Sequence, residues 1–252
     1  MSEIFLSVVI PAYNEEENLK RGVLDEVYNF LSKQSYPWEV LVVDDGSTDL
    51  TIKLSESFAE KHSGFRVFAQ PHRGKGGTVI AGMLKAKGDI VLFTDMDQAT
   101  PIAQLAKLLP KFDQGYEVAI GTRTGRKGAN PIRKLMAYGF VVLRTVILRL
   151  PYKDTQCGFK AFSRNVIKPI FERMRVFDEN QLVVGSAVTA GFDLELLYIA
   201  RKLRYKVAEV PVEWMEKGSR GDFGVNPIKD SWEGFRDLIK VRMNALMGKY
   251  KV

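Results

Sequence analysis

Two aspartates one residue apart, Asp95 and Asp97, end the apolar run in "VLFTDMDQATP" (Val91 to Pro101). On an extended chain, residues i and i+2 face the same way. Both carboxylates can therefore address one ligand. Held that close, they repel unless a cation lies between or near them. A divalent metal carrying phosphate oxygens is the natural partner. Helix capping is the competing use of an acid here, but the next helix already has a start signal in Thr100 followed by Pro101.

A second pair, Asp44 and Asp45, closes another apolar run in "VVDDGSTD". Gly46 makes a turn, Ser47 or Thr48 can cap the following helix, and Asp49 suits its first turn. One aspartate can brace the loop while the other accepts hydrogen bonds from a nucleobase imide or a ribose. In "HRGKGGTV", Lys75 stands between glycines just ahead of a helix, an arrangement that suits a phosphate. Neither G-x-G-x-x-G nor G-x-x-x-x-G-K-[ST] occurs, which argues against a dinucleotide oxidoreductase and a P-loop ATPase. His62 and His72 read as isolated, so a histidine-based metal site is not expected.

The elements that must hold these residues alternate in type. Short apolar, β-branched runs ("FLSVVIP", "WEVLVVD", "FRVFAQ", "DIVLFTD", "YEVAIGTR") read as strands. Between them, "EENLKRGVLDEVYNFL", "DLTIKLSESFAEKH", "GGTVIAGMLKAKG" and "PIAQLAKLLPKF" have helical spacing, the third closed by Gly88. Continuous apolar strands between helices predict a mostly parallel sheet covered on both faces. In open α/β sheets, ligands sit beyond the carboxyl ends of the strands, where this sequence collects its acids. After Arg123 comes a glycine-rich basic loop, then an apolar helix from Leu135 to Leu150. "GFKAFSRNVIKPIFERM" reads as a strand turning into a helix, "FDLELLYIARKLRYKVAEVPVEW" as a helix then a strand, and the tail from Asn226 as one basic helix. We expect a main domain over residues 1–225 and an amphipathic helical extension over 226–252.

The chain has 252 residues, 46% of them apolar, and a net charge of +7, which favours anionic partners. A nucleic-acid partner would leave the acids at strand ends unexplained and is not expected. The single cysteine, Cys157, allows no intramolecular disulfide, and the N-terminus reads as a first strand without a cleavable leader. The longest apolar run, Leu135 to Leu150, carries Arg144 and Arg149 and is shorter than the about 20 residues a spanning helix needs. It reads either as core or as an interfacial helix, with Arg144 and Arg149 snorkelling towards headgroups while Phe140, Val141 and Ile147 face acyl chains. A cytoplasmic location, peripheral to the membrane face, is the expectation.

Taken in order, "VVIPAYNEEENL", "VVDDGSTD", "GKGGTV", "DMDQATP" and "GTR" resemble the inverting family 2 glycosyltransferases of the GT-A fold, over roughly residues 4 to 125. "DTQCGFKAF", "FDLELLYIARK" and "VAEVPVEW" extend the resemblance to about residue 220 and narrow it to polyprenyl-phosphate sugar synthases of the dolichyl-phosphate glucosyltransferase branch, with mannose synthases as near relatives. The resemblance implies a Rossmann-like, mostly parallel sheet. It implies a nucleotide-sugar donor, UDP-glucose before GDP-mannose, and a polyprenyl phosphate acceptor at a membrane surface. A homodimer is a further possibility. Pro11, Tyr13 and Glu15 would line the nucleotide pocket and Asp45 would contact the base. Asp95 and Asp97 would bind the sugar diphosphate through Mg2+ or Mn2+. The mannose synthases' D-A-D-x-Q has its glutamine one place later than Gln98, whose position as a metal ligand therefore departs from the pattern. Arg123 and Arg133 match arginines that hold acceptor and donor phosphates, and Arg220 in "EKGSRG" matches a phosphate contact. Lys75 or Arg220 would offset charge on the leaving diphosphate. The rival readings are a soluble or glycan acceptor and a nucleotidylyltransferase, whose glycine-rich N-terminal loop is replaced by "PAYNEEENL".

Overall fold

The computed structural model describes residues 4–124, 131–175, 190–215 and 227–251. Within them lies a seven-stranded sheet of order β3-β2-β1-β4-β6-β5-β7. Its strands are β1 (Leu6–Ala12), β2 (Trp38–Asp44), β3 (Phe65–Ala69), β4 (Ile90–Thr94), β5 (Val118–Thr124), β6 (Phe159–Ser163) and β7 (Val207–Glu213). All neighbours pair in parallel except β6, which runs antiparallel to both β4 and β5. The expected mostly parallel sheet is present, and the chain reverses only where "GFKAF" inserts between two earlier strands.

Apolar side chains alternate between the faces of the sheet and feed two cores. On one face, Val9, Val43, Phe93 and Phe162 pack under helices α4 (Gly74–Lys85), α7 (Arg164–Phe171), α8 (Ala190–Lys202) and α9 (Pro227–Leu246). On the other, Val8, Ile10, Val42 and Phe159 pack against α2 (Val23–Leu31) and α5 (Leu105–Asp113). Helix α3 (Thr51–Lys61) flanks the edge strand β3, and α6 (Pro131–Leu148) leans on α9.

Several local expectations are corrected. The helix foreseen from Glu16 to Leu31 breaks into α1 (Glu16–Lys20) and α2, because Gly22 adopts φ +79° between them. Ser47 and Thr48 do not cap α3. The Asp49 carboxylate accepts the Thr51 N–H at 2.9 Å, while Ser47 and Thr48 bond to Asn14 on the neighbouring loop. Thr100 does not cap either; its hydroxyl rests 3.9 Å from the Cys157 sulfur. Along α6, Arg144 points inwards and is only 2% exposed, donating to the Thr155 hydroxyl at 2.8 Å and to the Tyr152 carbonyl. It is not a surface arginine reaching for headgroups, and burial pulls its pKa below the usual guanidinium range. Phe140 and Ile147 pack on the core; Tyr138, Val142, Leu143 and Val146 form the exposed face instead. On α9, Trp232, Ile239 and Leu246 are exposed; past its end, Tyr250 is buried and donates to Glu195 at 2.6 Å.

Candidate active site

The carboxyl ends of β1, β2 and β4 lie side by side, because these strands are parallel neighbours in register. Each end delivers a polar loop. From β1 come Pro11, buried in the strand, and Tyr13, whose ring stacks on His72 with centroids 4.1 Å apart and planes 14° from parallel. Glu15 accepts from the Asn18 amide, and its N–H donates to Thr51 at 2.7 Å.

From β2 come the first two aspartates, and the protein itself engages both. Asp44 Oδ2 accepts the N–H groups of Gly46 and Ser47, each at 3.1 Å, and so braces the turn. Asp45 is 2% exposed; its Oδ1 accepts the Arg73 N–H at 2.8 Å and its Oδ2 pairs with His72 Nδ1 at 2.8 Å. His72 is thus not isolated. It is gripped by Asp45 and lies flat on Tyr13. His62 is likewise packed, stacked on Phe58 at 4.0 Å.

From β4 come Asp95 and Asp97, whose surroundings differ. Lys75, in the first turn of α4, places its ammonium 2.5 Å from Asp95 Oδ1, and both side chains stay about one-third exposed, at 32% and 35%. Burial works against the charge on Lys75, but the charge and hydrogen bond of Asp95, aided by Asp193 and Asp97, raise its pKa above the usual lysine range. Asp97 Oδ1 accepts the Ala99 N–H at 2.9 Å. Gln98 is 1% exposed with φ +51°; its amide donates to the Asp95 carbonyl at 3.0 Å. It braces the bend that carries the two carboxylates. Gly158 makes room for Asp95: a Cβ there would stand 2.1 Å from Asp95 Oδ2. Among the described residues no three His, Cys, Asp or Glu side chains converge as a metal cluster. The hard oxygens of Asp95 and Asp97 suit a cation that takes the rest of its shell from phosphate and water.

β5 carries Arg123, whose guanidinium fork meets Asp154, Nε at 2.6 Å and Nη2 at 2.9 Å, with the Trp214 ring centroid 5.9 Å away. Burial disfavours both charges, but each partner overrides it: Arg123 is held above its ordinary range and Asp154 below. Arg133 lies in α6 with its side chain outside the described ones, and Arg220 lies outside the described residues altogether.

Sequence reasoning assigned no role to His72, Asp154, Gly158, Lys160 or Asp193. Asp154, Gly158 and Lys160 stand in the quoted "DTQCGFKAF". A lysine inside an otherwise apolar strand was the available signal. The pairing of His72 with Asp45 had none, since 27 residues separate them.

The glycosyl transferase family 2 model matches residues 7–171. The dolichyl-phosphate beta-glucosyltransferase of Dictyostelium discoideum is 32% identical over all of this chain and 78% of its own length. That of Saccharomyces cerevisiae is 34% identical over 99% of this chain and 77% of its own. Among solved structures, glucosyl-3-phosphoglycerate synthase from Mycobacterium tuberculosis, in complex with Mn2+, UDP and glucosyl-3-phosphoglycerate, superposes with a TM-score of 0.66 at 19% identity over 95% of this chain and 80% of that one. The mannosyltransferase from Pyrobaculum calidifontis in complex with GDP-Man and Mn2+ gives 0.60 at 22%, over 93% and 64%. At these identities the two structures show the fold alone, which is that of GT-A enzymes. The matched motifs, the parallel sheet and the acids at its strand ends converge: the chain is a glycosyltransferase and belongs to glycosyl transferase family 2, on the branch that carries the dolichyl-phosphate beta-glucosyltransferases.

Proposed function

We propose that the chain transfers glucose from UDP-glucose to a polyprenyl phosphate of the dolichyl type, with inversion at the anomeric carbon. The observation that carries this reading is the partly exposed cluster of Asp95, Asp97 and Lys75 at the open ends of the parallel strands. The names of the curated relatives support the sugar and the lipid. Asp95 and Asp97 would hold Mg2+ or Mn2+, which when bound supplies positive charge to the donor diphosphate. Lys75 now rests on Asp95 Oδ1, so a metal held by Asp95 and Asp97 would leave the Lys75 ammonium free to face the donor diphosphate. Tyr13 and the Asp45–His72 pair line the nucleotide end. A lipid monophosphate, with a second pKa near about 6, is largely ionised at neutral pH and attacks without a general base. Arg123, oriented by Asp154, stands ready for acceptor phosphate, with Arg133 and Arg220 as its proposed companions.

The acceptor implies a membrane surface. No helix of the described residues is long and apolar enough to cross one. The exposed Tyr138, Val142, Leu143 and Val146 of α6, and Trp232, Ile239, Met243 and Leu246 of α9, support interfacial docking, flanked by exposed Arg149, Arg236 and Lys240.

Incubation with UDP-glucose or GDP-mannose, Mn2+ and a polyprenyl phosphate, followed by organic extraction, tests the reaction. Hexose is expected in the lipid phase from UDP-glucose. Transfer from GDP-mannose alone, or to soluble acceptors alone, would overturn the reading. Val146→Glu should weaken binding to anionic vesicles while changing stability by less than about 0.5 kcal/mol. Unchanged vesicle binding would remove α6 from the docking face.

A further inference from the structure

Lys160 sits in the middle of the sheet, in β6 between β4 and β5, and its side chain has no exposed surface. The ammonium donates to the Cys157 carbonyl at 2.5 Å and to Asp193 Oδ1 at 2.6 Å, and lies 5.3 Å from the centre of the Phe93 ring. Removing a lysine from water is costly, and for stability alone a well-packed apolar residue serves as well or better. Its partner is not sealed in. The Asp193 side chain is 18% exposed. It projects from the first turn of α8, whose start is tied to α9 by the Asp237 carboxylate accepting the Gly191 N–H at 3.1 Å. Lys160 joins Asp193 to the Cys157 carbonyl, and the next residue, Gly158, is the one Asp95 packs against, so Asp193 borders the same space; its charge also bears on Lys75 and Arg123.

An acceptor-only group in that space has few ligands to choose from. It repels phosphate. It does not complete a metal cluster with Asp95 and Asp97, since no three such side chains converge among the described residues. An ionised acceptor phosphate needs no base. Neutral O–H donors remain, and carboxylates bind them in short, charge-assisted hydrogen bonds. We propose that Asp193, held in place from behind by buried Lys160, is the carboxylate that accepts hydrogen bonds from hydroxyls of the donor hexose and so selects the sugar. The proposal rests on the nucleotide-sugar reading of the site and adds to it the group that reads the sugar.

The test compares UDP-glucose with UDP-glucose analogues each lacking one hydroxyl, in the native protein, Asp193→Ala, Asp193→Asn and Lys160→Met. In the native protein at least one deoxy donor should lose roughly 10- to 100-fold in kcat/KM. In Asp193→Ala that penalty should vanish, because the intact donor has already lost the bond. Lys160→Met should shrink it. Affinity for UDP, which has no sugar, should stay within about twofold in all variants. Should Asp193→Ala fail to fold, Asp193→Asn gives the same comparison with the shape preserved. An unchanged penalty for every deoxy donor, with only the melting temperature lowered, would overturn the proposal and leave the pair a tie between β6 and α8. If the native protein uses GDP-mannose instead, the donor assignment above fails, and the same series on deoxymannose donors decides the role of Asp193.

Discussion

The two aspartate pairs at the ends of β2 and β4 look alike in sequence and are treated differently by the fold. At β2, Asp44 Oδ2 accepts backbone N–H groups of its own turn, and Asp45 is closed between Arg73 N–H and His72. At β4, Asp95 is met by the Lys75 ammonium, and both side chains stay about one-third exposed. A carboxylate satisfied by backbone N–H groups builds a loop, whereas one countered by a displaceable cation is ready to exchange it for a ligand. On the proposed reading, the β2 pair would frame the nucleotide end and the β4 pair would face the chemistry.

Replacing the β4 pair should do most to activity. Asp97→Asn should lower kcat/KM by about 10³-fold or more, the scale on which losing a group at developing charge is felt. Thermal melting should be unchanged. Unfolding of this variant would break the comparison, since Asp97 would then be as structural as Asp44. Lys75→Met comes next. Transfer should fall by roughly 10- to 100-fold, the worth of one charged hydrogen bond. Mn2+ should bind Asp95 more tightly in calorimetric titrations without nucleotide, because its competitor is gone. Weaker Mn2+ binding would show that Lys75 does not contest that oxygen.

The enclosed pair should reverse the pattern. Asp45→Asn should cost about 1.5–3 kcal/mol of stability in urea, as bonds to a charged group are weakened while the neighbouring donors stay buried. An Asp45→Asn protein as stable as the native one, yet without donor binding, would place Asp45 with the β4 pair. The smallest effect concerns pH. The folded pKa of Asp154 is depressed, because the Arg123 fork overrides burial. Its contribution to stability is therefore present above the ordinary carboxylate range and is lost as pH falls through the lowered folded value. Acid unfolding of Asp154→Asn should have a shallower pH slope below about pH 4. An identical slope would mean that the Arg123–Asp154 contact confers no pH-dependent stability.

Much of this was legible in advance because it is local. Strand and helix periods, the carboxylates at i and i+2, and Lys75 ahead of its helix depend on neighbours within a turn or a strand. The family motifs extend that reach only along the chain. The break at Gly22 was misread because the helical spacing of Leu19, Val23 and Val27 continues across it; a single φ of +79° outweighs the pattern. Residue type alone marked Arg144 as a snorkelling cation. Only packing against Tyr152 and Thr155 turned it inwards.

The sequence by itself determined which residue types stand at the open end of the sheet: acids at strand termini, a lysine at a helix start, a parallel sheet to align them. Tertiary structure alone decided which acids are available. That choice depends on partners far along the chain, His72 for Asp45, Asp154 for Arg123, Lys160 for Asp193, separated by 27, 31 and 33 residues. Antiparallel insertion of β6 beside β4 brings Gly158 against Asp95 and Lys160 beneath Phe93. Charge pairing acts over a few ångströms of space, and chain periodicity carries no record of which distant residues the sheet will bring that close.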